Sequence, residues 1–334
     1  MRAIGDLASF ISTKRFQSDL SQSANTSAQA ATTGLVSDKA RHLGGATMAL
    51  SLLERKSTLL HQQKLNISEA AVFATATQVS LGHIQENIET LTSDLSLTSQ
   101  LASTSELQTL SNKALESFLI TVSTMNTKIS GRHFFSGSAT DTMPLPDGNV
   151  LLDWLRASIT GATTANDVIT AIDTWFDAPG GVYETGIYQG SDTGFLTLPL
   201  DAQASITFGL RADGNVVRDS LKALAKAALA SDPTLTLSLD DRKELQIQSR
   251  VELLTVNQSL IEERSNVGLA EAAIKDAGTR SETEIARLDA YRLSLIATDQ
   301  FEEISKFEMA QQQLEIFYRV AARQSQTSLA EYLR

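Results

Sequence analysis

Apolar residues recur at helical spacing along both flanks of the chain, and the rhythm changes in the middle. Leu81, Ile84, Ile88, Leu91 and Leu95 step alternately by three and four residues, the spacing of a coiled-coil seam. Leu115, Phe118, Val122, Met125 and Ile129 continue an amphipathic face beyond a Ser/Thr-rich stretch, and a break is predicted near 101–106. Without it, a helix over 47–130 would run roughly 120 Å. On the C-terminal side, Leu245, Val251, Leu254 and Ile261 predict one helix. Ile285, Leu288, Leu295, Ile304, Phe307, Leu314, Phe317 and Val320 predict a second stripe, with Gly268 and Gly278 as bends between the two. The first 33 residues predict a smaller helical segment with Leu7, Phe10, Ile11 and Leu20 as its apolar contacts and small residues over 21–33. Gly34 ends it, and 34–46 reads as an irregular connector.

All five prolines fall between Pro144 and Pro233, and both tryptophans, Trp154 and Trp175, lie there too. The flanks lack proline, which costs about 3 kcal/mol inside a helix, so long helices are permitted. Within the middle, 150–176 and 216–230 predict helices, and VYETGIY, FLTLPL and SITFGL over 182–210 predict short strands. The predicted fold class is therefore mainly α: a long antiparallel helical rod or coiled coil formed by both chain ends, with an inserted small α+β outer domain. The end segments are too apolar to stand alone in water, and their narrow seams call for neighbouring subunits.

Composition narrows the function classes. Hydrophobic residues make up 42% and aromatic residues 6%, which favours helix packing built on Leu, Ile, Val and Ala. The formal charge of -11 argues against nucleic acid and against an anionic membrane surface. The absence of cysteine excludes disulfides and thiol chemistry. The N-terminus lacks the apolar run of a cleaved signal peptide, and no stretch is apolar enough to predict a membrane span.

Catalytic, cofactor and metal sites are not predicted. His42, His61, His83 and His133 have no ligand spacing between them. GRHFFSG, APGG and YQGSDTG fit no phosphate loop and read as turns. Asp240 and Asp241 read as a helix cap with acid near the positive end of the dipole. Ser136 has no partners at the offsets of a nucleophile.

Several segments resemble the flagellin superfamily. RSNVGLAEAAIKDA (264–277) is similar to an element of its C-terminal rod helix through Arg264, Val267 and Gly268. The stretch 293–334 resembles its terminal helix through Asp299, Glu302, Gln312, Gln313, Leu314, Ser328, Leu329, Leu333 and Arg334. ATTGLVSDKARHLGG resembles the connector after the first terminal helix, with Asp38 and Gly44-Gly45 in place of a fuller acidic element. NTKISGRHFFSGSATDTMPL (126–145) resembles a segment of flagellin-like hook-associated proteins, those of the hook–filament junction. Asn126, Gly131, Arg132, Phe134, Phe135, Gly137, Asp141 and Pro144 carry that likeness, and Tyr188 and Gly190 match a second element of the same family.

The resemblance implies a structural subunit of the bacterial flagellum and not an enzyme. It implies terminal coiled-coil segments at 1–33 and 290–334 forming an inner tube, the connector 34–46, a helical rod domain at 47–131 and 240–289, and an outer α+β domain at 132–239. It implies an extracellular location reached by type III export without a cleaved signal peptide. The implied partners are further copies of the chain in a ring, flagellin, the adjoining hook-associated junction protein and an export chaperone; no cofactor is implied. Leu7, Phe10, Ile11, Leu20, Leu295, Phe301, Ile304, Phe307, Leu314, Phe317, Val320 and Leu329 are the expected assembly and chaperone face. Flagellin itself and a cytoplasmic coiled-coil interaction protein remain the alternatives.

Overall fold

The computed structural model describes residues 2–45, 47–97, 102–201 and 203–332, and describes the side chains of these except 2–9, 97 and 324–332. The order of elements is α1 (Arg2–Thr33), α2 (Lys39–His42), α3 (Thr47–Leu97), α4 (Thr104–Met125), β1 (Lys128–Ile129), β2 (Arg132–His133), α5 (Gly148–Ser158), α6 (Ala165–Asp177), β3 (Leu196–Pro199), β4 (Ser205–Phe208), α7 (Asn215–Leu229), α8 (Leu239–Ile296) and α9 (Gln300–Tyr332). The chain is mainly α, and its strands form two antiparallel pairs, β1–β2 and β3–β4. Two compact units divide it, one of residues 1–62 with 282–334 and one of residues 63–281; α3 and α8 contribute to both.

In the first unit, α1 and α9 run antiparallel. Phe16 meets Phe317 with ring centroids 5.8 Å apart, and Gln17 Nε2 donates to the Tyr318 hydroxyl at 3.0 Å. Gly34 ends α1 in the left-handed region at φ +67°, and its N–H closes on the Ala30 carbonyl, the usual role of a glycine just past a helix. The chain then bridges to the α8–α9 junction: Leu35 pairs with Ala297, and Val36 N–H donates to the Ile296 carbonyl at 2.9 Å. Asp299 caps α9 by accepting from Phe301 N–H at 2.8 Å.

In the second unit, the predicted seam of Leu81, Ile84, Ile88, Leu91 and Leu95 is buried, as are Phe118, Val122 and Met125 of α4, with Leu115 and Ile129 packed against the same core. Each such side chain contributes about 1.5–3 kcal/mol on burial. The predicted break is present: α3 ends at Leu97, and α4 starts behind a capping box. The Ser103 hydroxyl accepts from Glu106 N–H, and the Glu106 carboxylate takes Ser103 N–H at 2.7 Å, worth about 1 kcal/mol. Those backbone and hydroxyl hydrogen bonds from Ser103 hold the Glu106 carboxyl below its usual range.

Three expectations are corrected. α8 runs through Gly268 and Gly278 as one unbroken helix, so the two glycines do not separate two helices; a glycine costs a helix about 1 kcal/mol, which the packing of Val267, Ile274 and Ala277 on either side offsets. Val251, Leu254 and Ile261 do not share the buried face of Leu245. They are exposed, and Leu253, Val256 and Leu260 are buried instead. VYETGIY is not a strand. Tyr183–Ile187 forms a π-helical turn in which Tyr188 N–H reaches back to the Tyr183 carbonyl at 3.1 Å. Burial of the Tyr183 and Ile187 side chains in the core fixes that turn. The cap of α8 is Ser238, whose hydroxyl accepts from Asp241 N–H at 3.1 Å, while Asp240 and Asp241 occupy the first turn.

Candidate assembly interface

The stripe expected along the terminal helices divides between two faces. On α1, Leu20, Ala24, Ser27 and Ala30 are buried. On α9, Glu303 and Ala310 are buried, and Phe307, Leu314 and Phe317 are half-buried. Positions 303, 307, 310, 314 and 317 step by four and three, so the seam is a heptad of small and polar residues interrupted by large ones. Glu303 is held inside it by Lys306 Nζ at 2.8 Å and by the Thr298 hydroxyl at 3.3 Å, and Lys306 first among these keeps its carboxyl below the usual range.

The other face is open. Phe301 is 78% exposed and Phe10 61%, and Ile11, Ile304 and Val320 are exposed with them. Phe16, Met309 and Ile316, which the periodicity did not single out, are exposed as well. Leu295 is half-buried. The side chains of Leu7, Ser328 and Leu329 lie outside the described residues, as do Leu333 and Arg334. Large apolar side chains left exposed in such number along a helix pair mark an interaction surface.

The two motif segments of the middle region meet. Asn126 ends α4, and its side chain clamps the backbone of Leu145, donating from Nδ2 to the carbonyl at 2.9 Å and accepting the N–H on Oδ1 at 3.0 Å. Ser130 (φ +51°) and Gly131 (φ +80°) are the two turn residues between β1 and β2, the dihedral signature of a tight hairpin turn. Arg132 Nη1 reaches Glu69 of α3 at 2.8 Å. Phe134 and Phe135 are buried 4.2 Å apart, and Phe73 of α3 lies 6.5 Å from Phe134. Ser191 N–H donates to the Ser136 carbonyl and Gln189 N–H to the Pro144 carbonyl, both at 2.9 Å.

Gly137 and Gly190 sit at that join because nothing larger fits. A Cβ on Gly137 would lie 2.8 Å from the Ser191 carbonyl oxygen, and one on Gly190 would lie 2.7 Å from the Ser136 carbonyl oxygen. Tyr188 folds over the join and donates to the Ser191 carbonyl at 3.2 Å; burial, followed by the nearby Asp213 charge, pushes its phenol well above the ordinary value. His133 is buried at the hairpin with its Nδ1 unpaired, and burial first, then the Lys128 charge, lowers its pKa. These residues build a packed latch between the two segments.

Arg264 lies on α8 and donates from Nη1 to Gln85 Oε1 of α3 at 2.7 Å. Gly268, one turn further on, faces open space. One feature was not legible in the sequence: Lys226 of α7 is fully buried between Asp173 of α6 at 2.5 Å and Glu252 of α8 at 2.6 Å. The residues are scattered over eighty positions, and no spacing connects them. Among the described residues no helix is long and apolar enough to cross a membrane, and no group of acidic and histidine side chains has a metal-binding arrangement.

These elements define a class: a mainly α chain whose two ends pair antiparallel and whose middle carries an inserted α+β segment. The particular fold is that of FlgL. The chain is similar to the crystal structure of Bacillus cereus FlgL at 15% sequence identity and a TM-score of 0.52, over 73% of this chain and all of that one. A flagellar hook-associated protein structure from Vibrio parahaemolyticus aligns at 13% identity and a TM-score of 0.43, over 72% of this chain and 96% of that one. No family model matches the chain, and no curated protein matches it.

Proposed function

We propose that the chain is a structural subunit of the bacterial flagellum that joins hook to filament, and that it is not an enzyme. The open apolar face of the α1–α9 pair carries this reading. A helix pair with a small, polar seam and large exposed residues such as Phe10, Phe301 and Val320 gains its stability by burying them against neighbouring copies. The FlgL fold supports the same assignment. So does the latch formed by Asn126, Gly131, Arg132, Phe134, Phe135, Gly137, Tyr188 and Gly190, which resembles hook-associated proteins more than flagellin. The expected partners are other copies in a ring, flagellin on one side, the adjoining hook-associated protein on the other, and an export chaperone that shields the terminal face before secretion.

In this reading residues 1–33 and 290–334 form the inner tube, 34–46 the connector, 47–131 and 240–289 the rod, and 132–239 the outward domain. Immunogold labelling with antibody to residues 132–239 tests it. A single band of label between hook and filament is expected. Label along the whole filament would make the chain a flagellin, and label confined to the cell interior would make it a coiled-coil interaction protein.

A further inference from the structure

Strands β3 and β4 form a sheet of their own, so each has an outer edge, and the two edges differ. Leu196 pairs with Phe208, Thr197 with Thr207, Leu198 with Ile206 and Pro199 with Ser205. Just past the strands, Leu200 N–H donates to the Ala204 carbonyl at 2.9 Å. Bonded and non-bonded pairs alternate in an antiparallel ladder, so Leu198–Ile206 and Leu196–Phe208 are the bonded ones. The backbone groups of Thr197, Ser205 and Thr207 therefore point away from the hairpin, and Gly209 continues the alternation. Pro199 holds an outward position of β3, where it offers no donor and its ring stands in the path of an approaching strand. β4 has no such guard. The run Ser205-Ile206-Thr207-Phe208-Gly209 contains neither charge nor proline. Ser205, Thr207 and Gly209 are exposed, and a Cβ on Gly209 would meet nothing within 4 Å. The outward backbone groups of these three residues have no hydrogen-bond partner among the described residues. An uncharged, unpaired edge of this kind is a template for another strand.

We propose that the open edge of β4 pairs antiparallel with β4 of a second copy, joining the two hairpins into one four-stranded sheet. The edge is complementary to itself. With Thr207 on the two-fold axis, Thr207 faces its counterpart, and Ser205 faces Gly209 of the second copy on either side. Each of these pairs exchanges two hydrogen bonds. Between them Ile206, half-buried in one chain, faces Phe208 of the second copy at the closer, non-bonded sites. A β-branched residue against an aromatic one is among the pairings that stabilise a sheet. Moving the axis to Ile206 or to Phe208 forfeits a bonded pair, which sets the register. β3 of a second copy is the poorer partner, because Pro199 lacks a donor and obstructs the approach. Two identical strands running in opposite directions close the contact on itself, so it makes a pair of free copies and does not repeat around a ring. The inference goes beyond the subunit reading and does not depend on it.

The chain has no cysteine, so disulfide trapping reads the contact directly. The purified full-length Thr207→Cys variant is oxidised over a range of concentrations and run on a non-reducing gel. Across the axis its two Cα atoms would lie about 5.5 Å apart, within disulfide reach. Thr197→Cys is the control. Thr197 shares the exposed face of the same hairpin, but its two copies would lie roughly 14 Å apart, three strand spacings. Thr207→Cys should give a covalent dimer in about tenfold higher yield than Thr197→Cys. Adding Gly209→Pro to Thr207→Cys removes a donor from the outward edge alone and should return the yield to that of the control. Tryptophan fluorescence of that variant checks that its unit remains folded, and the comparison of the two single variants stands without it. No dimer, equal yields from the two single variants, or a dimer that survives Gly209→Pro in a folded protein would overturn the proposal. The outcome is independent of the labelling experiment: a trapped dimer without label at the junction retains the contact and removes the junction role, and label without a dimer does the reverse.

Discussion

Gly137 offers a quantitative test of the latch. Its φ of +63° lies in the left-handed region, and a Cβ there would meet the Ser191 and Gly194 carbonyl oxygens at 2.8 and 3.0 Å. Gly131 also has a positive φ, +80°, yet a Cβ on it meets nothing within 4 Å. Alanine at either position bears a conformational cost of about 1–2 kcal/mol. Only Gly137→Ala adds the cost of forcing atoms into a filled space, about 1–3 kcal/mol. Gly131→Ala should therefore lose about 1–2 kcal/mol and Gly137→Ala about 2–5 kcal/mol. Both tryptophans, Trp154 and Trp175, lie in the unit of residues 63–281, so urea unfolding followed by tryptophan fluorescence reports that unit alone. At a slope of about 1–3 kcal/mol/M, the midpoint of Gly137→Ala should fall by about 1 M or more. Equal midpoints for the two variants would refute the claim that contact across the 126–145 and 188–191 segments holds the latch.

Other consequences can be measured on the same protein. His133 is buried neutral with a lowered pKa, so its contribution to stability is complete above the ordinary value of 6.5 and is lost as pH falls through the lowered folded value. The wild type should weaken between pH 7 and pH 5 more than His133→Phe does, and parallel curves would contradict this. Lys226→Met leaves Asp173 and Glu252 facing each other without a cation. It should cost about 3 kcal/mol in urea unfolding, and a neutral result would show that the triad contributes no net stability. In a dilute monomer, amide exchange over α1 and over residues 300–323 of α9 should be far faster than over residues 67–95 of α3. Equal protection would mean that the terminal pair is stable without neighbours.

Much of the architecture was legible because proline, glycine and the three-and-four spacing act locally. Gly34 and the α3 seam were readable on those grounds, and the break near 101–106 from the Ser/Thr-rich stretch before it. The latch was readable as two separate motifs, but its join was not, because nothing in the sequence relates Ser136 to Ser191 or Pro144 to Gln189. Periodicity failed where one helix carries two apolar faces. On α8 the stripe containing Leu254 and Ile261 is as regular as the one containing Leu253 and Leu260, and only the fold decides which is buried. The same ambiguity on α9 merged exposed Phe301 and Ile304 with Phe307 and Leu314. There, the inward seam includes Glu303, a residue that a search for apolar positions passes over. Lys226 was missed because its two carboxylate partners come from helices distant in the sequence.

The junction role itself is tested most directly by a clean deletion of the gene in its host, followed by electron microscopy of the cells and assay of the medium for flagellin. The account predicts hooks without filaments, flagellin monomer shed into the medium, and restoration by the wild-type gene. Intact filaments on the deleted strain would contradict it, and filament loss with no flagellin in the medium would identify the chain as the filament subunit.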